Sequence, residues 1–208
     1  MGAEDARIPA EVIGICHEEV KTNEMENQNY TSNPINRCYF CKSELHDTLK
    51  PLALKRGYSY VVDGVNAEDL RDYRPGIQAA KERGARSPLA EVGMSKFEVR
   101  QLAKDLDLPW WDKPAQPCLS SRFPYGHEIT SERLKMVEKA EEYLKECGLS
   151  EVRVRCQGST ARIEIPQDEL KHFFNKYNFS ELVQYFSNLG FNCTSLDLEG
   201  LVSGKLNR

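Results

Sequence analysis

The stretch from Lys113 to Gly126, KPAQPCLSSRFPYG, limits this chain more than any other. Pro114 and Pro117 exclude a helix interior, because each lacks a backbone donor and crowds the preceding turn, and Pro124 with Gly126 closes the segment as a turn. Cys118 and Arg122 are therefore held on a constrained loop, the kind of segment on which chemistry is commonly mounted. Cys118 offers a nucleophile or metal ligand, and Ser120, Ser121 and Arg122 beside it offer donors suited to a phosphate or carboxylate. A buried cysteine next to a surface turn accounts for the same residues, since free Cys is among the most buried residue types.

With 208 residues the chain can form one substantial domain or two modest ones. A formal charge of -4 argues against a broad nucleic-acid-binding surface, though a local basic site such as Arg153 with Arg155 remains compatible with it. No apolar run approaches the ~18 residues that cross a bilayer, and Met1 to Glu11 is charged rather than signal-like. A cytoplasmic protein without membrane contact is expected. Seven cysteines are many for such a chain, and an odd number suits a disulfide framework poorly, so metal binding or thiol chemistry better explains some of them.

Taken in order, Ile13 to Lys21 reads as a short strand after the tail of a helix, and Asn23 to Asn36 as a polar loop leading to Arg37. Ser43 to Lys55 has leucines at helical spacing, with Pro51 expected to kink or divide the helix, and Cys38 and Cys41 lie at its start. Tyr58 to Asp63 reads as a buried strand of a parallel sheet. The following loop, GVNAEDLRDYRPG, places Asn66, Asp69, Asp72 and Arg74 where α/β sheets bind ligands, although solvated acidic residues on a turn fit equally well. Ser95 to Leu106 is a helix with a capping box from Ser95 to Glu98. Lys96 in its first turn is electrostatically misplaced unless it is a solvated lysine or has an anionic partner.

After the Cys118 loop the composition changes. Ser131 to Cys147 reads as a long amphipathic helix, 151–155 and 161–165 as strands of a hairpin around Gly158, and 167–176 and 180–189 as helices before a last strand at 192–198. The expected division is 1–126, an α/β nucleotide-binding domain, and 127–208, an α+β domain for substrate binding or oligomerisation.

Cys38-Tyr39-Phe40-Cys41 is a CxxC whose thiolates can reach one metal or cluster from a helix start, and by itself it leaves zinc, redox chemistry and coincidence open. The chain offers no second ligand pair at similar spacing for zinc, and no strand directly before the CxxC for a thioredoxin-like site. Two thiolates here plus one from a distant loop would leave one position of an iron-sulfur cluster open for chemistry.

NPINRCYFCK, GVNAEDLRDYRPG, RSPLAEVGMSKFEVRQLA, WDKPAQPCLSSRFPYG and VRVRCQGSTARIEIP occur in this order from Asn33 to Pro166. In these segments the chain resembles the LarE family, ATP-dependent sulfur transferases of nickel-pincer cofactor synthesis within the PP-loop ATP pyrophosphatase superfamily. The resemblance implies an adenine nucleotide alpha hydrolase-like parallel sheet, N-terminally incomplete, with a smaller C-terminal α+β domain. It implies adenylylation by ATP with Mg2+ of a carboxylate of a pyridinium dicarboxylate mononucleotide, then displacement of AMP by sulfur. In the branch it resembles, a [4Fe-4S] cluster carries an extra sulfide, and Cys38, Cys41 and Cys118 match its ligands, Cys118 being the catalytic position. Lys96, Ser121 and Arg122 match ATP- and phosphate-contacting positions. Asn66, Asp72, Arg74, Arg153, Arg155, Glu141 and Glu164 are the expected substrate-binding set.

The family's SGGxDS loop, which cradles pyrophosphate, does not occur in the chain; Val202-Ser203-Gly204-Lys205 matches the family's tail instead. A fragment or half of a split enzyme is therefore expected, weak in ATP binding alone, with an N-terminal half acting in trans, a separate sulfur donor and a homo-oligomeric assembly. The alternatives are a PP-loop sulfur transferase acting on tRNA, which the acidic charge disfavours, and a non-catalytic metal- or cluster-binding module.

Overall fold

The computed structural model describes residues 4–114, 116–202, 204 and 205. Ala115 of the proline-rich loop and Ser203 of the tail motif lie outside the described residues. The helices are α1 (Glu4–Ile13), α2 (Gln28–Thr31), α3 (Arg37–Lys55), α4 (Pro75–Glu82), α5 (Pro88–Glu91), α6 (Lys96–Asp105), α7 (Ser131–Glu146), α8 (Leu170–Lys176) and α9 (Phe179–Leu189). The strands are β1 (Arg153–Gln157), β2 (Thr160–Glu164) and β3 (Cys193–Leu196). The chain is thus mixed α and β, and it divides into two compact units, 1–24 with 38–107, and 25–37 with 108–208.

The first unit is mainly helical. Helix α3 begins at the CxxC and runs through Pro51 without division. Pro51 is on an exposed face, where water can meet the carbonyl that its missing N–H leaves unbonded. Helix α6 opens with the expected capping box, Ser95 accepting from the Glu98 amide while Glu98 accepts from that of Ser95. No strand spans 13–21 among the described residues, and Ile13 and Ile15 are exposed. Tyr58 to Asp63 makes a single parallel bridge, Val62 to Arg86, instead of a buried strand. Tyr58, Tyr60 and Val62 are each at least 60% exposed, because a strand is buried only when neighbours cover it and Arg86 alone pairs with this one.

In the second unit the order is β1-β2-β3, with β1 and β2 antiparallel and β2 and β3 parallel. The β1–β2 hairpin turns at Gly158, whose φ of 62° is open to glycine at no steric cost. Alternation then separates the two faces. Val154, Cys156, Ala161 and Ile163 are buried with Val137, Ala140 and Leu144 of α7 and Leu182 and Phe186 of α9. The opposite face presents Arg153, Arg155, Arg162 and Glu164, and the register sets Arg155 opposite Arg162 and Arg153 opposite Glu164.

Candidate functional site

The Cys118 loop belongs to the second unit, where buried cations and a buried amide fix its backbone. Residues Leu119–Arg122 form one 3-10 turn with Cys118 exposed at its head. Arg122 is buried and donates through Nη1 to the carbonyls of Pro117 at 2.9 Å and Cys118 at 3.3 Å, and to Ser121 Oγ at 3.1 Å. Its Nε and Nη2 bind the two oxygens of Glu141 at 2.8 and 3.0 Å, a fork that anchors the loop to α7. Glu141 also accepts from the Val154 amide at 2.9 Å, which satisfies the free edge of β1.

A second clamp comes from residues ahead of the CxxC. Asn33 is fully buried with φ 53°; its side chain donates to the Pro124 carbonyl at 2.7 Å, and its carbonyl accepts from Gly126 N at 2.8 Å. The Arg37 guanidinium donates to Asn33 Oδ1 at 2.6 Å and to the Ser120 carbonyl at 2.9 Å, and the Tyr30 and Ser120 hydroxyls share a bond of 2.6 Å. Tyr30, Asn33 and Arg37 escaped the sequence reading. Only the Asn33-Pro34 turn signal hinted at them, since their partners lie 83 to 91 residues away.

On the polar sheet face Arg155 is held fast. It donates from Nε to Glu164 Oε2 at 2.9 Å and from Nη1 to the Ser121 carbonyl at 2.7 Å, so the strand and the loop are joined. Arg162 donates to the other oxygen of Glu164 at 3.2 Å, and its Nε stands 3.3 Å from Asp197. Asp197 receives Lys205 at 2.7 Å. Burial works to raise the Asp197 pKa, but the Lys205 and Glu199 bonds outweigh it and hold it below the ordinary carboxylate value. Arg153 is half-buried, and its side chain has no hydrogen bond or ion pair among the described residues. Burial, then the charges of Arg122 and Arg155, push its pKa below that of an ordinary guanidinium. A cavity of about 340 Å³ opens beside this face, lined by Arg122, Arg155, Gln157, Arg162, Glu199 and Lys205 among others. An unpaired cation next to a basic hollow suits an anionic ligand.

In the first unit the CxxC occupies the first turn of α3, with Cys38 exposed and Cys41 half-buried. The i, i+3 spacing puts both thiols on one helix face. Gly76 of α4 packs against this turn: a Cβ there would stand 2.9 Å from Lys42 Cγ and 3.3 Å from the Cys38 carbonyl. The 64–76 loop is knit internally. Asn66 Oδ1 accepts from the amides of Glu68 and Asp69, and Arg74 pairs with Asp69 at 2.9 Å and with exposed Asp72 at 3.3 Å. Lys96 is exposed at the start of α6, where Glu98 already supplies the carboxylate that a helix N-terminus favours. His46 is buried among α3 and residues 58–61, and burial, then Lys42, hold its pKa below 6.5.

No disulfide joins any of the seven cysteines. Among the described residues no three His, Cys, Asp or Glu groups stand together as a metal site. The first unit sets two thiols on one helical turn, and the second exposes the Cys118 thiol on a hydrogen-bonded loop. No helix among the described residues is long and apolar enough to cross a membrane.

No family model matches the chain. It is 65% identical over 205 residues to an uncharacterized protein of Synechocystis sp., covering 99% of this chain and 76% of that one. It is 36% identical over 199 residues to the pyridinium-3,5-bisthiocarboxylic acid mononucleotide synthase of Lactiplantibacillus plantarum, covering 95% of this chain and 71% of the synthase. An uncharacterized protein of Methanocaldococcus jannaschii is 35% identical over 163 residues, 78% of this chain and 63% of its own.

Proposed function

The chain belongs to the LarE family, that of the pyridinium-3,5-bisthiocarboxylic acid mononucleotide synthase, and from this premise we propose that it transfers sulfur to the ring carboxylates of a pyridinium dicarboxylate mononucleotide. The observation that carries this reading is the 36% identity to the named synthase across 95% of the chain. ATP with Mg2+ activates the carboxylate as an adenylate, and sulfur then displaces AMP, in the service of nickel-pincer cofactor synthesis in the cytoplasm. Lys96, Ser121 and Arg122 serve the nucleotide phosphates, Arg122 chiefly by fixing the loop on which Ser121 and Cys118 stand. Arg153 and Arg155 meet the substrate phosphate, which supplies the direct ion pair that the Arg153 guanidinium lacks among the described residues. Glu141 and Glu164 shape that site by orienting Arg122 and Arg155, and Asn66, Asp72 and Arg74 contribute from the first unit. Residues 1–126 form the nucleotide part and 127–208 the substrate part.

Cys38, Cys41 and Cys118 would hold a [4Fe-4S] cluster, which would supply the sulfur for transfer. The three thiols suit the cluster branch in number and accessibility. A separate sulfur donor would replenish that sulfur, and the assembly is homo-oligomeric.

The test is anaerobic incubation with ATP and the dicarboxylate mononucleotide, with and without an added segment carrying the SGGxDS loop that does not occur in this chain, reading pyrophosphate and the sulfur content of the product. Thiocarboxylate formation is expected with the segment. Absence of sulfur in the product under both conditions overturns the reading, and robust turnover by the chain alone overturns the role given to the segment.

A further inference from the structure

The three guanidiniums around the 340 Å³ cavity differ in how many donors they have left. Each guanidinium carries five N–H groups. Arg122 spends Nε, Nη1 and Nη2 on Glu141 and on the backbone and hydroxyl of its own loop. Arg155 spends Nε and Nη1 on Glu164 and Ser121, with Nη2 a further 2.9 Å contact to Glu164. Arg162 makes one hydrogen bond, from Nη2 to Glu164. Its Nε is the one buried side-chain nitrogen or oxygen among the described residues without a hydrogen-bond partner, its 3.3 Å approach to Asp197 being misaligned. Nη1 has no partner among the described residues, and the side chain keeps 30% of its exposure. A buried N–H left unsatisfied is costly, so such a group gains from a ligand that lets it turn and bond fully.

We infer that Arg162 is a second anion-reading residue of the polar sheet face, binding a ring carboxylate of a ligand whose phosphate is held at Arg153. The inference rests on the function proposed above and adds a residue to its substrate site. Arg162 faces Arg155 across the hairpin, which makes Arg153 and Arg162 diagonal neighbours. Such positions lie roughly 7–8 Å apart, within the span of two acidic groups on one small ligand. Lys205 stands on the far wall of the cavity, fixed by Asp197 and Glu199. Glu199 also lines the cavity; Lys205 is shared between Glu199 and Asp197, Asp197 also meets Arg162, Glu164 meets Arg155 and Arg162, and Glu141 meets Arg122. The cavity volume is at the lower end of the roughly 300–1,000 Å³ usual for small-ligand sites.

Nicotinate and nicotinamide mononucleotide share ring, ribose and phosphate and differ in carboxylate against amide, so they separate the two arginines. Calorimetric titration should show Arg162→Gln losing about tenfold or more affinity for the acid and little for the amide, the loss expected for one charged hydrogen bond. Arg153→Ala should weaken both alike. Equal losses, or none, in Arg162→Gln overturn the inference and leave the proposed function standing. If that variant does not fold, Arg162→Lys keeps a cation between Glu164 and Asp197 without the planar fork and must show the same selective loss. The wild-type protein gives an independent readout: the Arg162 Nε–H resonance should shift with the acid and not with the amide. If neither nucleotide binds, the substrate class proposed above falls, and the same resonance titrated with benzoate decides the inference, an unmoved signal overturning it.

Discussion

Arg122 and Glu141 meet as a two-bond fork, Nε to Oε1 at 2.8 Å and Nη2 to Oε2 at 3.0 Å, with no more than 7% of either side chain exposed. One partner comes from the loop that carries Cys118 and the other from the middle of α7, so this contact sets where the thiol stands relative to the sheet. Arg122→Ala leaves a buried carboxylate facing only the Val154 amide and should cost about 3–5 kcal/mol of stability. Denaturant unfolding checks this, and Glu141→Gln, which can still accept from Val154, should cost less.

Arg153 and Arg155 are two residues apart on one strand, yet their substitutions should part company. Arg153→Ala removes a cation repelled by its neighbours and should change stability by less than about 0.5 kcal/mol while weakening the substrate phosphate contact by about 1.5–3 kcal/mol. Arg155→Ala strips Glu164, which is wholly buried, of its best partner and should destabilise the fold outright. Similar melting behaviour in the two variants would contradict the assignment.

His46 links the first unit to pH. Its folded pKa lies below 6.5, so as pH falls the unfolded chain takes up the proton first. The stability that neutral His46 preserves is therefore complete above about pH 6.5 and is lost as the pH drops through the folded value. Unfolding curves between about pH 7.5 and 5 should show a decline that His46→Gln flattens. A decline of equal slope in the variant would place the effect elsewhere.

Iron retention separates the cysteines. Serine at position 38, 41 or 118 should abolish or sharply lower iron and sulfide content after anaerobic reconstitution. Cys16 and Cys193, both exposed, should be dispensable for iron and stability alike. Cys156 is fully buried, so Cys156→Ser should lower the melting temperature and leave iron unchanged. Iron loss on changing Cys156 would redraw the ligand set.

Gly76→Ala tests the packing behind the CxxC. The added methyl meets a movable Lys42 side chain but also the Cys38 carbonyl, which the α3 backbone holds in place. Overpacking there should cost about 1–3 kcal/mol and lower iron content, whereas Gly64→Ala, in open space, should do neither.

The sequence alone determined what depends on near neighbours. The capping box at Ser95 and Glu98, the long helix after Thr130, the Gly158 hairpin and the CxxC at a helix start were all legible, because periodicity and capping operate within a few residues. A proline inside a helix removes a bond, so a kink or division at Pro51 is the local expectation, and whether water can take that bond's place depends on which face it occupies. The strand expected at Tyr58 to Asp63 depended on neighbours that no local pattern supplies. Only the tertiary structure decided which charges are paired. Arg153, Arg155 and Arg162 look alike in the sequence; the hairpin register and the reach of Glu164, Asp197 and the Ser121 carbonyl leave the first guanidinium unpartnered, the second held through each of its three nitrogens and the third half committed. The reason is physical: a side chain's intrinsic charge is local, but its desolvation and its partners are set by segments far away in the chain.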